Sequence, residues 1–104
     1  MSETRPQTVT ILQGLPGSGK STWALEQVRK FPYIKRINRD DLRTMVHGGM
    51  YTKPNEEVIR KTRDELILLF LDLGHDVIID DTNLENSTQI RIKEVVEAWK
   101  REHP

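Results

Sequence analysis

The chain has 104 residues, a length that favours a single domain with one modest core, and its 16 basic residues balance its 16 acidic ones. The zero formal net charge argues against a polycationic surface, although a few local contacts could still hold a nucleic acid. The lack of cysteine excludes disulfides and thiolate metal sites. No apolar run approaches the roughly 20 residues of a membrane span, and the N-terminal segment lacks the apolar core of a signal peptide. We therefore expect a soluble, cytoplasmic protein with no membrane partner.

The first predicted strand and the loop after it carry the most specific pattern in the chain. Residues 8–13, Thr-Val-Thr-Ile-Leu-Gln, are β-branched and apolar, as in a buried parallel strand. Residues 14–21, Gly-Leu-Pro-Gly-Ser-Gly-Lys-Ser, match the phosphate-binding loop pattern G-x-x-x-x-G-K-[ST], and a helix is predicted from about Gly19 to Lys30. Strand, loop and helix follow in the order that the motif requires. The alternative is a glycine-rich surface turn.

The loop pattern predicts how ATP and Mg²⁺ would be bound. Backbone N–H groups of the turn and the positive end of the following helix would converge on phosphate oxygens. Lys20 would reach the β- and γ-phosphates, and the Ser21 hydroxyl would hold Mg²⁺. The predicted nucleotide-binding residues are Gly14, Leu15, Pro16, Gly17, Ser18, Gly19, Lys20, Ser21 and Thr22.

The rest of the chain alternates predicted strands and helices. Short strands are predicted at 34–38 and 76–80, a short helix begins at Asp40, and a long helix opens at Pro54. The basic residues of 60–63 are interpreted as a solvated face of that long helix. The residues predicted to face the core are Trp23, Ala24 and Val28 in the first helix, Ile59, Thr62, Leu66, Leu69, Phe70 and Leu73 in the long helix, and Ile92, Val95, Val96 and Trp99 in the last helix.

Strands separated by helices predict an α/β fold, a three-layer P-loop NTPase-type parallel sheet flanked by helices, with about three strands recognisable. The chain would form this one domain, with residues 1–7 frayed. Ligands of such sheets bind at the carboxyl ends of the strands. We therefore expect Gly14, the segment 38–40 and the pair Asp80–Asp81 to converge on one site.

Four segments together resemble the kinase domain of phage polynucleotide kinase and its wider P-loop kinase family. They are residues 14–24, 37–43, 51–53 and 77–84, which read Gly-Leu-Pro-Gly-Ser-Gly-Lys-Ser-Thr-Trp-Ala, Ile-Asn-Arg-Asp-Asp-Leu-Arg, Tyr-Thr-Lys and Val-Ile-Ile-Asp-Asp-Thr-Asn-Leu. The resemblance runs from residue 8 to about residue 99. It implies transfer of the γ-phosphate of ATP to a 5′-hydroxyl end of DNA or RNA.

The resemblance assigns roles on the acceptor side. Asp40 is implied as the base that receives the proton of the acceptor hydroxyl, the alternative being a helix cap. Arg43, three residues on, could share a helix face with Asp40 and would grip the acceptor phosphate next to the reacting end. A solvated arginine is the alternative. Lys20, Asp40 and Arg43 are thus the predicted catalytic residues, and Asp41 is expected to cap the helix or to orient Arg43.

The resemblance also assigns the metal site. Asp81 is implied as the acid near Mg²⁺ and the phosphate-binding loop, so that Ser21 and Asp81 are the predicted metal residues. Asp80 is then expected to be a solvated neighbour. Thr82 and Asn83 would position that loop or form a simple turn.

A complete kinase of this type continues beyond the last helix of this chain. Two further strands and a lid segment would follow, with an arginine that stabilises charge on the transferring phosphate; Arg91 and Arg101 are the conceivable substitutes here. The implied strand order, 2-3-1, leaves strand 8–13 at an edge that invites pairing. The expectation is a truncated chain, a chain completed by a partner or by self-association through that edge, or a distinct compact variant.

Two other functions stay open. A related P-loop kinase could phosphorylate a small molecule such as a sugar, a nucleotide, shikimate or a nucleotide sugar. The neutral net charge and the lack of an obvious aromatic stacking platform favour that reading. A nucleotide-binding module without turnover would fit the missing lid. The segment 38–43 favours the 5′-hydroxyl acceptor.

Overall fold

The structure of the chain, a computed structural model, describes residues 6–13, 19–81 and 85–104. The predicted loop residues 14–18 and the predicted positioning residues Thr82 and Asn83 lie outside these ranges. The elements within them begin and end within two residues of their predicted positions. They are β1 (Val9–Ile11), α1 (Lys20–Lys30), β2 (Ile34–Ile37), α2 (Arg39–His47), α3 (Lys53–Asp72), β3 (Asp76–Ile79) and α4 (Asn86–Glu102).

The strands form one parallel sheet in the order β1–β3–β2. Ile78 of the central strand is in register with Thr10 of β1 on one side and with Arg36 of β2 on the other. This is the predicted strand order 2-3-1, and it leaves β1 at an edge of the sheet that the described residues form. Parallel strands need long crossover connections, which the intervening helices supply.

Helices α3 and α4 contribute to the main core cluster with the sheet, and α1 contacts β2. Val77 and Ile79 of β3 belong to the main core cluster, to which α3 and α4 contribute Ile59, Ile67, Leu71, Ile92 and Val96. Ile78, which lies between them in β3, is buried outside that cluster, because alternate residues of a strand point to opposite faces. The predicted α/β fold, a parallel sheet flanked by helices, is therefore confirmed.

Helix α1 begins after a glycine in the left-handed backbone region. Gly19 is the residue before the helix and has φ 85°, a conformation that glycine adopts without steric cost. Ala24 is fully buried, as predicted. Trp23 is 44 % exposed, so its predicted place in the core is wrong. The small Ala24 takes the buried position of α1, and the larger neighbour faces outwards.

The buried face of α3 differs from the predicted one. Leu69 and Leu73, which were expected to be buried, are 48 % and 61 % exposed. The residues that lie along the buried line at spacings of three and four are Glu56, Ile59, Arg63, Ile67 and Leu71. Because two of them are charged, an apolar periodicity could not identify this line.

Arg63 lies inside the protein. The prediction of a solvated basic face at 60–63 is wrong for this residue, which is 1 % exposed. Its guanidinium donates to Asp64 Oδ1 from Nε at 3.2 Å and from Nη2 at 3.0 Å. Arg91 of α4 donates to the other carboxylate oxygen of Asp64 at 2.8 Å. This buried carboxylate therefore joins α3 to α4.

The segment before β1 is tied to the end of α3. Gln7, the last residue of the segment predicted to be frayed, donates its side-chain amide to the carbonyl oxygens of Leu71 at 2.8 Å and His75 at 2.9 Å. Among the described residues, no helix has the length and apolarity required to cross a bilayer.

Candidate functional site

Two acidic side chains leave the carboxyl end of β3 in different directions. Asp80 and Asp81 directly follow the strand, and consecutive residues of an extended chain point to opposite sides. Asp80 contacts Lys20 and Ser21 at the start of α1. Asp81 contacts Arg39 at the start of α2. The end of β3 therefore joins the helix of the phosphate-binding motif to the helix that carries the predicted acceptor residues.

Asp80 is buried and fully engaged by cationic and hydroxyl donors. It is 0 % exposed, which makes the expectation of a solvated neighbour wrong. Its Oδ1 accepts from Lys20 Nζ at 3.2 Å and from Ser21 Oγ at 3.3 Å, and its Oδ2 accepts from Arg36 Nε at 2.7 Å. Burial by itself would raise the pKa of Asp80, but these hydrogen bonds outweigh it and hold the pKa below its ordinary value.

Asp81 is also buried but has a different environment. Its Oδ1 accepts the backbone N–H of Arg39 at 2.6 Å, whereas Oδ2 is buried with no hydrogen-bond partner among the described residues. Burial raises the pKa of Asp81, and the hydrogen bond and positive charge of Arg39 oppose that rise. Among the described residues, the acid in contact with Ser21 is Asp80. The metal role of Asp81 stays a prediction.

Helix α2 is docked on the end of β3 by Asn38. Asn38 Oδ1 accepts the N–H of Asp41 at 2.9 Å, so Asn38 is the N-terminal cap of α2. Its Nδ2 donates to the carbonyl oxygen of Asp80 at 2.7 Å. The Asp41 carboxylate accepts from Arg36 Nη1 at 2.7 Å. The expectation that Asp41 caps the helix or orients Arg43 is therefore wrong, because Asn38 is the cap and Arg36 is the partner.

Asp40 and Arg43 lie together on one face of α2, as their spacing predicted. Arg43 Nη1 donates to Asp40 Oδ1 at 2.7 Å. The Asp40 side chain is 67 % exposed, whereas that of Arg43 is only 14 % exposed. The pair thus presents an accessible carboxylate beside a guanidinium whose position is fixed.

Glu56, near the start of α3, fixes that guanidinium. Arg43 Nε donates to Glu56 Oε2 at 2.7 Å, and Arg43 Nη2 donates to Glu56 Oε1 at 2.8 Å. The Arg43 hydrogen bonds hold the pKa of Glu56 below its ordinary value, and the same bonds raise the pKa of Arg43. The sequence patterns gave Glu56 no role at the site. Glu56 lies three residues before Ile59 on the buried face of α3, but an apolar periodicity assigns a charged residue at such a position to solvent.

Tyr51 is a second residue that sequence analysis did not place at the site. Its ring centroid lies 5.2 Å from Arg43 Cζ, within the range of a cation–π contact. The residue is 71 % exposed. An aromatic ring therefore stands beside the predicted acceptor residues, where the sequence showed no obvious stacking platform.

The start of α1 and the end of β3 together supply oxygen donors that suit Mg²⁺. This ion prefers oxygen ligands and is usually held by one or two carboxylates together with substrate phosphates. The Ser21 hydroxyl and the Asp80 carboxylate are such donors, 3.3 Å apart. Within residues 6–13, 19–81 and 85–104 no cluster of three or more His, Cys, Asp or Glu side chains could hold a metal ion. A site that is completed by phosphate oxygens fits this arrangement.

The remaining predicted residues are divided between described and undescribed parts of the chain. Gly19, Lys20, Ser21 and Thr22 form the start of α1 and its cap. The predicted nucleotide-binding residues that lie outside the described ranges are Gly14, Leu15, Pro16, Gly17 and Ser18. The two conceivable lid arginines both lie on α4, and Arg91 is bonded to Asp64 there.

Comparison with known proteins places this geometry in a family. Residues 9–103 match the family model described as an AAA domain. Among solved structures, the chain is similar to one from the Pnkp1/Rnl/Hen1 complex, with 34% identity and a TM-score of 0.76 over 86% of this chain and 31% of that chain. The structure of the Pnkp1/Rnl/Hen1 RNA repair complex gives 34% identity and a TM-score of 0.75 over 86% and 29%. This chain thus spans less than a third of the length of either.

The APS kinase CysC of Mycobacterium tuberculosis has the same fold at lower identity. It is 21% identical, with a TM-score of 0.71 over 94% of this chain and 71% of that chain. At this identity the likeness concerns the fold alone.

Proposed function

We propose that the chain, which belongs to the AAA domain family and has the fold of the P-loop kinases, transfers the γ-phosphate of ATP to a 5′-hydroxyl end of DNA or RNA. One observation carries the proposal. Lys20 and Ser21 both donate hydrogen bonds to the carboxylate of Asp80. The backbone carbonyl of Asp80 accepts a hydrogen bond from Asn38, which caps the helix that carries Asp40 and Arg43. A nucleotide side and an acceptor side thus meet at one strand end.

On the nucleotide side, Lys20 would bind a phosphate with its side-chain ammonium group. Its side chain is 8 % exposed and is bonded to Asp80. A triphosphate at the start of α1 would exchange that carboxylate for phosphate oxygens as the partner of the ammonium group. Ser21 and Asp80 would hold Mg²⁺, which would supply positive charge next to the phosphate groups.

On the acceptor side, Asp40 receives the proton. One carboxylate oxygen of Asp40 accepts a hydrogen bond from Arg43. The exposed Asp40 side chain can accept the hydroxyl proton of an incoming 5′ end with its other oxygen. The hydroxyl oxygen forms a bond to the γ-phosphorus as the bond to the β–γ bridging oxygen breaks, and ADP leaves. Arg43, oriented by Glu56, would hold the acceptor phosphate next to the reacting end.

The relatives support a nucleic acid as acceptor. The two similar structures at 34% identity come from a complex that is described, in one of them, as an RNA repair complex. The paired Asp40 and Arg43 suit an acceptor that carries both a hydroxyl group and a phosphate. A 5′-terminal nucleotide of a strand has both.

The test is transfer of label from γ-labelled ATP, in the presence of Mg²⁺, to a panel of acceptors. The panel contains a DNA and an RNA oligonucleotide with 5′-hydroxyl ends, the same strands with 5′-phosphate ends, and adenylyl sulfate. Label on the 5′-hydroxyl strands only, abolished by Lys20→Ala, is the expected result. Label on adenylyl sulfate alone, or ATP binding with no labelled acceptor, would contradict the proposal and favour a small-molecule kinase or a binding module.

A further inference from the structure

The chain reverses direction between α2 and α3 and returns Tyr51 to the acceptor residues. Gly48 and Gly49 have φ of 61° and 86°, the left-handed region that glycine favours. The N–H of Gly49 donates to the carbonyl of Arg43 at 3.1 Å, which closes the end of α2. The side-chain amide of Asn55 donates from Nδ2 to the backbone carbonyl of Met50 at 3.2 Å. These bonds hold the backbone on both sides of the loop that carries Tyr51.

The Tyr51 ring is held beside the site while most of its surface stays exposed. Arg43 lies over the ring at 5.2 Å, and Arg43 is itself fixed by Asp40 and Glu56. The residue is nevertheless 71 % exposed. Met50, which precedes Tyr51 in sequence, is 64 % exposed, and Met45 at the end of α2 is 73 % exposed. The loop therefore offers apolar and aromatic surface next to two charged residues that the proposed reaction uses.

We propose that Tyr51 binds the acceptor strand by stacking its ring against a nucleobase close to the reacting 5′ end. The inference rests on the proposed function and names the part of the acceptor that this loop contacts. A base is joined through its sugar to the phosphate of the same nucleotide. A phosphate held by Arg43 would therefore bring a base within reach of the ring that touches Arg43.

Stacking on an aromatic ring suits a kinase that accepts many sequences. Every base has a π-face, so such a contact strengthens single-strand binding without selecting a sequence. The gain is about 5- to 150-fold in affinity per stacked base. A zero net charge leaves little non-specific attraction to phosphates, so one stacking contact would contribute a large part of acceptor affinity.

A competing explanation is that Tyr51 only supports Arg43. An acceptor that lacks a base separates the two explanations. We would measure KM and kcat for a 5′-hydroxyl strand and for matched strands with an abasic first or second nucleotide. The variants are Tyr51→Ala and Tyr51→Phe, with Tyr33→Ala as control. Tyr33 is 39 % exposed and precedes β2, at the amino end of the strands and away from the site.

Stacking predicts that Tyr51→Ala raises KM for the complete strand about tenfold or more with little change in kcat. One abasic strand should show the same weak KM with the wild type and be insensitive to Tyr51→Ala. Tyr51→Phe and Tyr33→Ala should resemble the wild type. An equal loss on complete and abasic strands, or no loss on either, would overturn the inference.

A binding measurement separates this inference from the proposed function. Fluorescence anisotropy of a 3′-labelled, 5′-hydroxyl strand gives a dissociation constant without turnover. Absence of label transfer by the wild type would contradict the proposed function. The dissociation constants of complete and abasic strands, compared between wild type and Tyr51→Ala, would still measure the stacking contact. Transfer that proceeds equally well without the Tyr51 ring would contradict the stacking contact alone.

Discussion

Arg43 and Glu56 form a two-pronged ion pair across the contact between α2 and α3, with hydrogen bonds of 2.7 and 2.8 Å. Glu56 is 6 % exposed, and its spacing along α3 makes it part of the buried face of that helix. Arg43 contacts Asp40 with its remaining terminal nitrogen. The core of the protein thus sets the position of a guanidinium at the surface site.

Replacement of Glu56 should therefore cost both stability and acceptor binding. Glu56→Gln keeps the shape but removes the charge and one acceptor, so the free energy of unfolding should fall by about 1–3 kcal/mol. The KM for the acceptor should rise about tenfold or more because Arg43 loses its orientation. The neighbouring Glu57→Gln is the matched control, since Glu57 is exposed and pairs with Arg60 at the surface. If Glu56→Gln and Glu57→Gln lowered the free energy of urea unfolding equally and raised KM equally, this role of Glu56 would be contradicted.

The same pair predicts how stability changes in acid. The pKa of Glu56 is lowered in the folded protein, so its contribution to stability is present above the unfolded value of about 4.3 and is lost as the pH falls through the folded pKa. The difference in unfolding free energy between wild type and Glu56→Gln should be constant from pH 7 to about 5 and shrink below about 4.3. A difference that stays constant down to pH 3 would show that Glu56 does not titrate in this way.

The two consecutive acids after β3 can be distinguished by nucleotide binding. Asp80→Asn should weaken ATP binding about tenfold or more in Mg²⁺ and less without it, because Asp80 shares Ser21 with the proposed metal site. Asp81→Asn should reduce the Mg²⁺-dependent part of binding only if the role predicted from the sequence is correct. Asp72→Asn, an exposed acid at the end of α3, serves as control. Calorimetric titration with and without Mg²⁺ measures the difference. An Asp80→Asn protein with unchanged Mg²⁺ dependence would remove this residue from the metal site.

Arg63 should be a large contributor to stability although it is charged. It is 1 % exposed and bonded to Asp64, so Arg63→Ala would leave a buried carboxylate with fewer partners and should cost about 3–5 kcal/mol. Arg60→Ala, on the exposed part of the same helix, should cost less than about 1 kcal/mol. Urea unfolding of both variants tests this. A surface-like cost for Arg63→Ala would contradict its burial.

The order of elements and strands could be predicted because those features depend on local patterns. The β-branched runs of β1 and β3, the motif before α1 and the proline at the start of α3 each indicate an element from adjacent residues. The convergence of polar residues at the carboxyl ends of β2 and β3 followed from the parallel sheet itself. Within the described residues, Asn38 and Asp80 meet as that argument required.

The buried charges could not be predicted, for a physical reason. Glu56, Arg63 and Asp80 are stable inside the protein only because each meets partners on another part of the structure or a charged neighbour. A periodicity of apolar residues assigns such positions to solvent. Lys20 and Asp80 are 60 residues apart in sequence, and the phosphate-binding motif alone does not indicate which acid accepts the hydrogen bond of Lys20.

The most direct test of the account is the transfer rate of two adjacent variants. Asp40→Asn and Asp41→Asn change neighbouring acids of α2 whose side chains are 67 % and 69 % exposed. Each variant removes one negative charge from the same exposed turn of the helix, so the two should affect stability and local charge to a similar extent. Single-turnover transfer from γ-labelled ATP to a 5′-hydroxyl strand should fall about 10²- to 10⁴-fold in Asp40→Asn, with the dissociation constant for ATP unchanged, and only a few-fold in Asp41→Asn. Transfer by Asp40→Asn at the wild-type rate, or an equal loss in both variants, would contradict Asp40 as the base and the site built around it.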